Sequence, residues 1–251
     1  MVCIWGKNEI TRPAEEHAIP ESLGCPPDLI RTDIACRSCN NKLGIVDQAL
    51  LKQFEGFTVM YGIPRKGGRP PTIDGWRAIA SEQRADGPHI YINAGPGMIE
   101  ARGKRLHPAA QSNGIHDVWM DPEAGRLGYK QVFGDDPRFI PALYKIGLNL
   151  VAIHFGSEVA ARESYDHIRA LVLGKGQAPN MSVLMSASTN GAFTAASGPI
   201  LKPGRLYPMF QVQILGVWFL LDLDPDQRGL RDIQSASILH SEPLFRLRRA
   251  A

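Results

Sequence analysis

The sequence predicts an α+β protein in two parts: a small, motif-bearing region at residues 1–57 and a larger mixed α+β region at residues 76–251. Apolar residues recur at spacings of three and four in separate stretches, which is the pattern of amphipathic helices. Short strand-like runs lie between turn residues and do not alternate with helices, so a series of βαβ units is excluded. Residues 58–75 contain the basic, Gly- and Pro-rich stretch GIPRKGGRPPTIDG (62–75), which is typical of a linker.

The composition is that of a folded protein. Hydrophobic residues make up 44% and charged residues 21% of the 251 positions, which excludes wholesale disorder. The longest apolar run near the C-terminus, residues 214–221, is far shorter than the ~20 residues that span a bilayer. The chain does not open on a basic-then-apolar leader, so we expect a cytoplasmic protein with no membrane partner.

Charge is distributed unevenly along the chain. The net charge is +3, but the first sixty residues carry six basic against eight acidic side chains, a balance of −2, and the rest carries +5. A phosphate-binding surface is therefore expected mostly outside the first sixty residues.

In the first region, residues 3–5 and 18–19 are predicted as short extended pieces. A helix is predicted after the asparagine pair at 40–41 and ends near Gly56. Its apolar stripe has helical spacing and consists of Leu43, Val46, Leu50, Leu51 and Phe54.

In the second region, short strands are predicted at 89–93, 118–120 and 128–133. A helix is predicted from Asp136-Pro137 to Gly156, because a cap acceptor followed by Pro favours a helix start. A second helix follows between Ser157 and Gly174. Strands at 209–214 and 217–223 then flank Leu215-Gly216 as a pair.

All four cysteines lie in the first forty residues, at positions 3, 25, 36 and 39. Such clustering favours a metal site or a local knuckle over a disulfide framework. The Cys36-x-x-Cys39 turn would place two thiolates on one zinc ion. A buried apolar pair of free cysteines is the alternative.

Three polar residues suggest hydrolytic chemistry. Glu16 and Asn40 offer hard oxygen ligands of the type that suits Mg²⁺ or Mn²⁺. His17 is a base at neutral pH, since its unperturbed pKa is ~6.5. A cation and an adjacent imidazole suffice for phosphodiester hydrolysis. Neighbouring strand residues point to opposite faces, so Glu16 and His17 can serve one phosphate only at a strand end or bend.

These residues also have plainer interpretations. A Glu-His dipeptide is commonly a solvated surface pair, and an asparagine before an apolar helix is commonly its cap.

Three stretches carry a resemblance to a known family: EHAIPESLG (16–24), CRSCNNKLG (36–44) and IVDQAL (45–50). Together they resemble the HNH endonucleases of the ββα-metal fold, over about residues 2–56. The segment RFIPALYKIGLNLVAIHFG (138–156) resembles, more loosely, a C-terminal part that accompanies this domain in some bacterial relatives.

The resemblance implies a small ββα-metal nuclease domain that acts on DNA. It implies that His17 is the general base and that Glu16 and Asn40 hold a catalytic Mg²⁺ or Mn²⁺. It also implies a further acid near the site at Asp47, which we give as a third candidate ligand.

The sequence departs from the family at the expected zinc site. Relatives usually open with a CxxC pair, but Gly6 stands where the partner of Cys3 is expected. Three thiolates remain, Cys3, Cys36 and Cys39, and Cys25 or a water molecule could supply the fourth ligand. Loss of the zinc is the remaining alternative.

Three function hypotheses follow. The first is a metal-dependent DNA endonuclease. The second is an HNH-fold module that has lost its catalytic activity and serves as a DNA-binding or regulatory module. The third is an interaction protein in which residues 76–251 act and residues 1–57 serve as a scaffold. Basic side chains at 65–69, 102–105 and 246–249 are candidate DNA contacts, or else a flexible charged linker and solvated faces.

Overall fold

The structure is a computed structural model, and it describes residues 1–64, 79–84, 87–92, 115–121, 126–176, 179–186, 193–237 and 245–248. Helices and antiparallel sheets are both present, so the predicted α+β class is confirmed. Within these ranges no helix combines the length and apolar character that crossing a membrane requires. The basic candidates at 65–69 and 102–105 lie outside the described residues.

The first region contains a two-stranded antiparallel ladder followed by a helix. Strand β1 (Glu16–His17) pairs with β2 (Ile30–Arg31), so that Glu16 faces Arg31 and His17 faces Ile30. Helix α1 (Arg37–Gln53) follows, with the buried apolar stripe that the sequence predicts. The order is therefore β-β-α.

Three local predictions for this region were wrong. Residues 4–6 form a turn in place of a strand, with the N–H of Lys7 donating to the carbonyl of Cys3 at 2.8 Å. The strand occupies 16–17 and ends before 18–19. Helix α1 starts at Arg37, before the asparagine pair at 40–41, so Asn40 is not its cap; the helix ends at Gln53, close to the predicted end, and a second helix, α2 (Glu55–Met60), follows.

The second region begins with two separate antiparallel pairs. Strand β3 (Ile79–Arg84) pairs with β4 (Gly87–Ile92), and β5 (Ile115–Asp121) pairs with β6 (Arg126–Gln131). The strands predicted at 89–93, 118–120 and 128–133 correspond to β4, β5 and β6.

Three helices follow. Helix α3 (Phe139–Phe155) starts later than predicted, because Asp136 accepts from the N–H of Arg138 ahead of the first turn. It ends at Gly156 as predicted. The single helix predicted next is broken into α4 (Ser157–Ala160), a 3-10 turn and α5 (Asp166–Leu173).

A five-stranded antiparallel sheet closes the fold, in the order β11-β7-β10-β9-β8. Its central hairpin, β9 (Met209–Ile214) and β10 (Val217–Asp222), was predicted from the sequence. The other strands are β7 (Ser182–Ser186), β8 (Ala195–Ala196) and β11 (Phe245–Arg248). Helix α6 (Arg228–Ser237) lies between β10 and β11 in the chain.

Helix α3 is the centre of the core. All its residues from 139 to 152 are buried, and it contacts α1 as well as β9 and β10. Gly147 permits the approach to the sheet, since a Cβ atom there would lie 2.8 Å from a methyl group of Leu223. One hydrophobic cluster includes residues from both predicted regions. The domain boundaries at 57 and 76 stay a prediction.

Candidate functional site

Four polar side chains from three distant segments meet beside α3, and we call them the charge cluster: Glu16, Lys145 and Asn149, which are buried, and Asp47, whose side chain is 22% exposed. The Lys145 ammonium lies 2.7 Å from Glu16 Oε1 and 2.9 Å from each Asp47 oxygen. Asn149, one turn further along α3, donates from Nδ2 to the same Glu16 Oε1 at 2.9 Å. Glu16 and Lys145 are each 1% exposed.

The electrostatics of this cluster keep Lys145 charged. Burial alone would lower the pKa of Lys145, but the charges of Asp47 and Glu16 outweigh it and raise that pKa. Burial also raises the pKa of Asp47, and the nearby ammonium opposes that rise. A buried ammonium group therefore lies between the buried carboxyl group of Glu16 and the partly exposed one of Asp47, an arrangement that is stable only when the hydrogen bonds are well made.

Two oxygens of the charge cluster lack hydrogen-bond partners among the described residues: Glu16 Oε2 and Asn149 Oδ1, both buried. Buried acceptors without a donor are uncommon and call for an explanation. A carboxylate oxygen with no donor can bind a hard cation. Glu16 Oε2 therefore has the chemistry of a cation ligand, and that role stays a prediction, whereas both oxygens of Asp47 are already bonded to Lys145.

His17 and Asn40 both contact Glu15, the residue before β1. The His17 side chain is partly exposed, and its Nε2 lies 3.8 Å from Glu15 Oε1. Asn40, near the start of α1, donates from Nδ2 to the Glu15 carbonyl oxygen at 3.1 Å. This bond joins α1 to the residue before β1, so Asn40 lies next to the Glu16-His17 pair, although its side chain hydrogen-bonds to neither of those side chains among the described residues.

The second polar group, which we call the thiol cluster, is formed by Cys3, Cys36 and Cys39. Their sulfur atoms lie within 4.8 Å of one another. Zinc bound at ~2.3 Å from each sulfur requires sulfur separations of about 3.8 Å, which this spacing allows. In the part of the chain that the structure describes, no other three His, Cys, Asp or Glu ligand atoms lie this close together.

Gly6, where the family resemblance predicts a fourth cysteine, lies next to the thiol cluster. A Cβ atom on Gly6 would be 3.3 Å from Cys39 Sγ, and the amide oxygen of Asn8 now fills that space. Cys25 is not brought to the cluster. Its Sγ lies 3.5 Å from the carbonyl oxygen of Pro26 and 3.8 Å from that of Leu29, so the structure does not use Cys25 as the fourth thiol.

The thiols differ in acidity. Burial would raise the pKa of Cys36, but hydrogen bonds from Ser38 and from the other two thiols lower it to about 7. Burial and the neighbouring thiols raise the pKa of Cys39 to about 12. One thiolate is therefore accessible near neutral pH, and metal binding would have to displace the remaining protons.

A cavity of about 290 Å³ lies next to the thiol cluster at the start of α1. Its lining residues are mostly polar and include two arginines: Asn8, Thr11, Arg12, Cys36, Arg37, Ser38 and Asn41. The net charge of −2 over the first sixty residues gave no indication of these two neighbouring arginines.

Sequence reasoning missed Lys145 and Asn149. Both interrupt a helix that is otherwise apolar, and they are spaced i, i+4, so they lie on one face. A polar pair of that spacing in a fully buried helix is a signal that another buried polar group faces it.

Comparisons with protein-family models, curated proteins and solved structures give no match to this chain. The resemblance to HNH endonucleases therefore stays a prediction that depends on the quoted motifs alone.

Proposed function

We propose that this protein is a metal-dependent endonuclease that hydrolyses DNA phosphodiester bonds. The observation that carries the proposal is the hydrogen bond from Asn40 to the Glu15 carbonyl oxygen. It sets the strand with Glu16 and His17 against the first turns of α1, beside the thiol cluster. Two short antiparallel strands, a helix and a thiol knuckle are the parts that the resemblance implies.

The proposed roles follow from the surroundings of each side chain. His17 is partly exposed, so its imidazole can take a proton from an attacking water molecule. Glu16 Oε2 and the Asn40 side-chain oxygen would hold Mg²⁺ or Mn²⁺. When bound, such a cation neutralises charge on the phosphate and on the leaving 3′-oxygen. A zinc ion on the thiol cluster would fix the turn that precedes Asn40.

Plasmid nicking in Mg²⁺ or Mn²⁺ tests the proposal. We expect His17→Ala to abolish nicking while the melting temperature stays nearly unchanged, because the side chain is not part of the core. His154→Ala, a change at an exposed histidine near the end of α3, is the matched control and should leave nicking intact. Full nicking activity in the His17→Ala variant would remove His17 from the mechanism.

One observation favours a second candidate, a DNA-binding module that does not cleave. The Lys145 ammonium already lies between the two carboxyl groups that were expected near a divalent cation. Cleavage that a chelator stops supports the enzyme. Binding that weakens steeply with salt, with no cleavage in any divalent metal, supports the module.

A further inference from the structure

We infer that Lys145 and Asn149 of α3 are positioning residues for Glu16, so that the second region of the chain completes the cation site of the first. The inference rests on the proposed role of Glu16 as a cation ligand. Helix α3 then contributes to the site, although none of its side chains was predicted to belong to it.

The two oxygens of Glu16 have different surroundings. Oε1 accepts from the Lys145 ammonium at 2.7 Å and from the Asn149 amide at 2.9 Å, whereas Oε2 has no partner within the described residues. A carboxylate that is free to turn about its terminal bond samples a broad range of angles. Two donors on one oxygen hold that angle, and they leave the other oxygen as the acceptor.

Residues that hydrogen-bond to metal ligands generally orient them in this way. A ligating carboxylate is itself hydrogen-bonded, and loss of such a partner typically costs about 10- to 100-fold in metal affinity. Both donors here are buried and lie on one rigid helix, so they fix the carboxylate against the core.

The positive charge of Lys145 leads to the opposite expectation for cation affinity. The direction in which the affinity changes when Lys145 is replaced therefore tests the inference. The Lys145 ammonium repels a divalent cation, so if Lys145 blocked the site its removal would strengthen cation binding. If Lys145 positions Glu16, its removal leaves Glu16 Oε1 without its shortest hydrogen bond, the carboxylate is no longer held at one angle, and cation binding weakens. Asn149 carries no charge, so its removal tests positioning without changing the electrostatics.

The experiment measures Mn²⁺ binding by isothermal titration calorimetry on the full chain, loaded with zinc beforehand to occupy the thiols. We expect Lys145→Met and Asn149→Ala each to bind Mn²⁺ about 10- to 100-fold more weakly than the wild-type chain. Lys42→Met, a change at an exposed lysine on α1, is the control and should bind as the wild type does. If Lys145→Met does not fold, Asn149→Ala decides the question alone.

Glu16→Gln separates this inference from the proposed function. If wild-type binding is lost in Glu16→Gln but both α3 variants bind normally, only the inference is overturned. Tighter binding in Lys145→Met also overturns it and identifies Lys145 as a blocking group. If the wild-type chain binds no Mn²⁺, the proposed cation role of Glu16 fails and the inference fails with it.

Discussion

The thiol cluster and the charge cluster both contact α1, yet they are built in opposite ways. The thiol cluster takes its three side chains from the first 39 residues, and beside Gly6 the Asn8 amide fills the space next to Cys39. The charge cluster draws on segments that are up to 133 residues apart, and its Lys145 and Asn149 side chains are enclosed.

This difference determines which substitutions each cluster tolerates. A site that lacks a ligand at its edge can gain one with little rearrangement. Removing one partner of a buried charge lowers the stability of the protein strongly, because the remaining charge is left buried without compensation. The predictions below test that contrast.

The largest effect is expected for Lys145→Met. Removal of the ammonium leaves the buried Glu16 carboxylate without its charged partner, and breaking a buried pair in this way costs about 3–5 kcal/mol of unfolding free energy. Urea denaturation followed by circular dichroism measures the change. Replacing the exposed Lys42 with Met should stay within about 0.5 kcal/mol. A loss below about 1 kcal/mol for Lys145→Met would mean that water reaches the cluster.

The next effect is a gain at the thiol cluster. Gly6→Cys should tighten zinc binding by about 10- to 100-fold or more, because a fourth thiolate closes the tetrahedron and a direct ligand is worth at least as much as an outer partner. The backbone at Gly6 does not have a positive φ, so a side chain is tolerated once the Asn8 amide moves away. Competition with a chromophoric chelator measures the affinity.

Gly44→Cys is the matched control for this gain. It also adds a thiol, but Gly44 lies in α1 with open space around it, and the thiol cannot join the cluster. Equal zinc affinity in Gly6→Cys and in the wild-type chain would contradict the assignment of the fourth position to Gly6.

The smallest effect concerns a histidine that belongs to neither cluster. Burial lowers the pKa of His167, although its Nε2 bonds to the Leu223 carbonyl oxygen at 2.8 Å. Below about pH 6.5 the unfolded chain binds more protons than the folded one, so stability should fall as the pH falls from 7.5 towards 5.5. His167→Gln should flatten that part of the stability curve, measured by thermal unfolding at each pH. An unchanged slope would assign the acid response to other groups.

Local patterns allowed much of the fold to be predicted. The apolar stripe of α1, the end of α3 at Gly156 and the hairpin around Leu215-Gly216 depend on residues that are close in sequence, and all three are present. The start of α3 and the broken helix after Gly156 were placed less well, because caps and breaks depend on competing hydrogen bonds that periodicity does not describe.

The residues of the candidate site also divide into those that local patterns predicted and those that only tertiary packing brings together. The CxxC spacing and the family resemblance predicted that Cys3, Cys36 and Cys39 lie together, and the structure brings their sulfur atoms within 4.8 Å of one another. The partners of Glu16 were not foreseen, since no spacing rule relates position 16 to positions 145 and 149. Only the packing of α3 against the first region brings these residues together.

The central position of α3 also limits which length changes the chain can accept. On one side Tyr144 donates to the carbonyl oxygen of Ser182 in the sheet, and on the other Lys145 reaches Glu16. Inserting one residue in the first turn of α3 would rotate everything after it by about 100°. Both attachments would then be lost together, so this segment must keep its register even though surface loops elsewhere tolerate insertions.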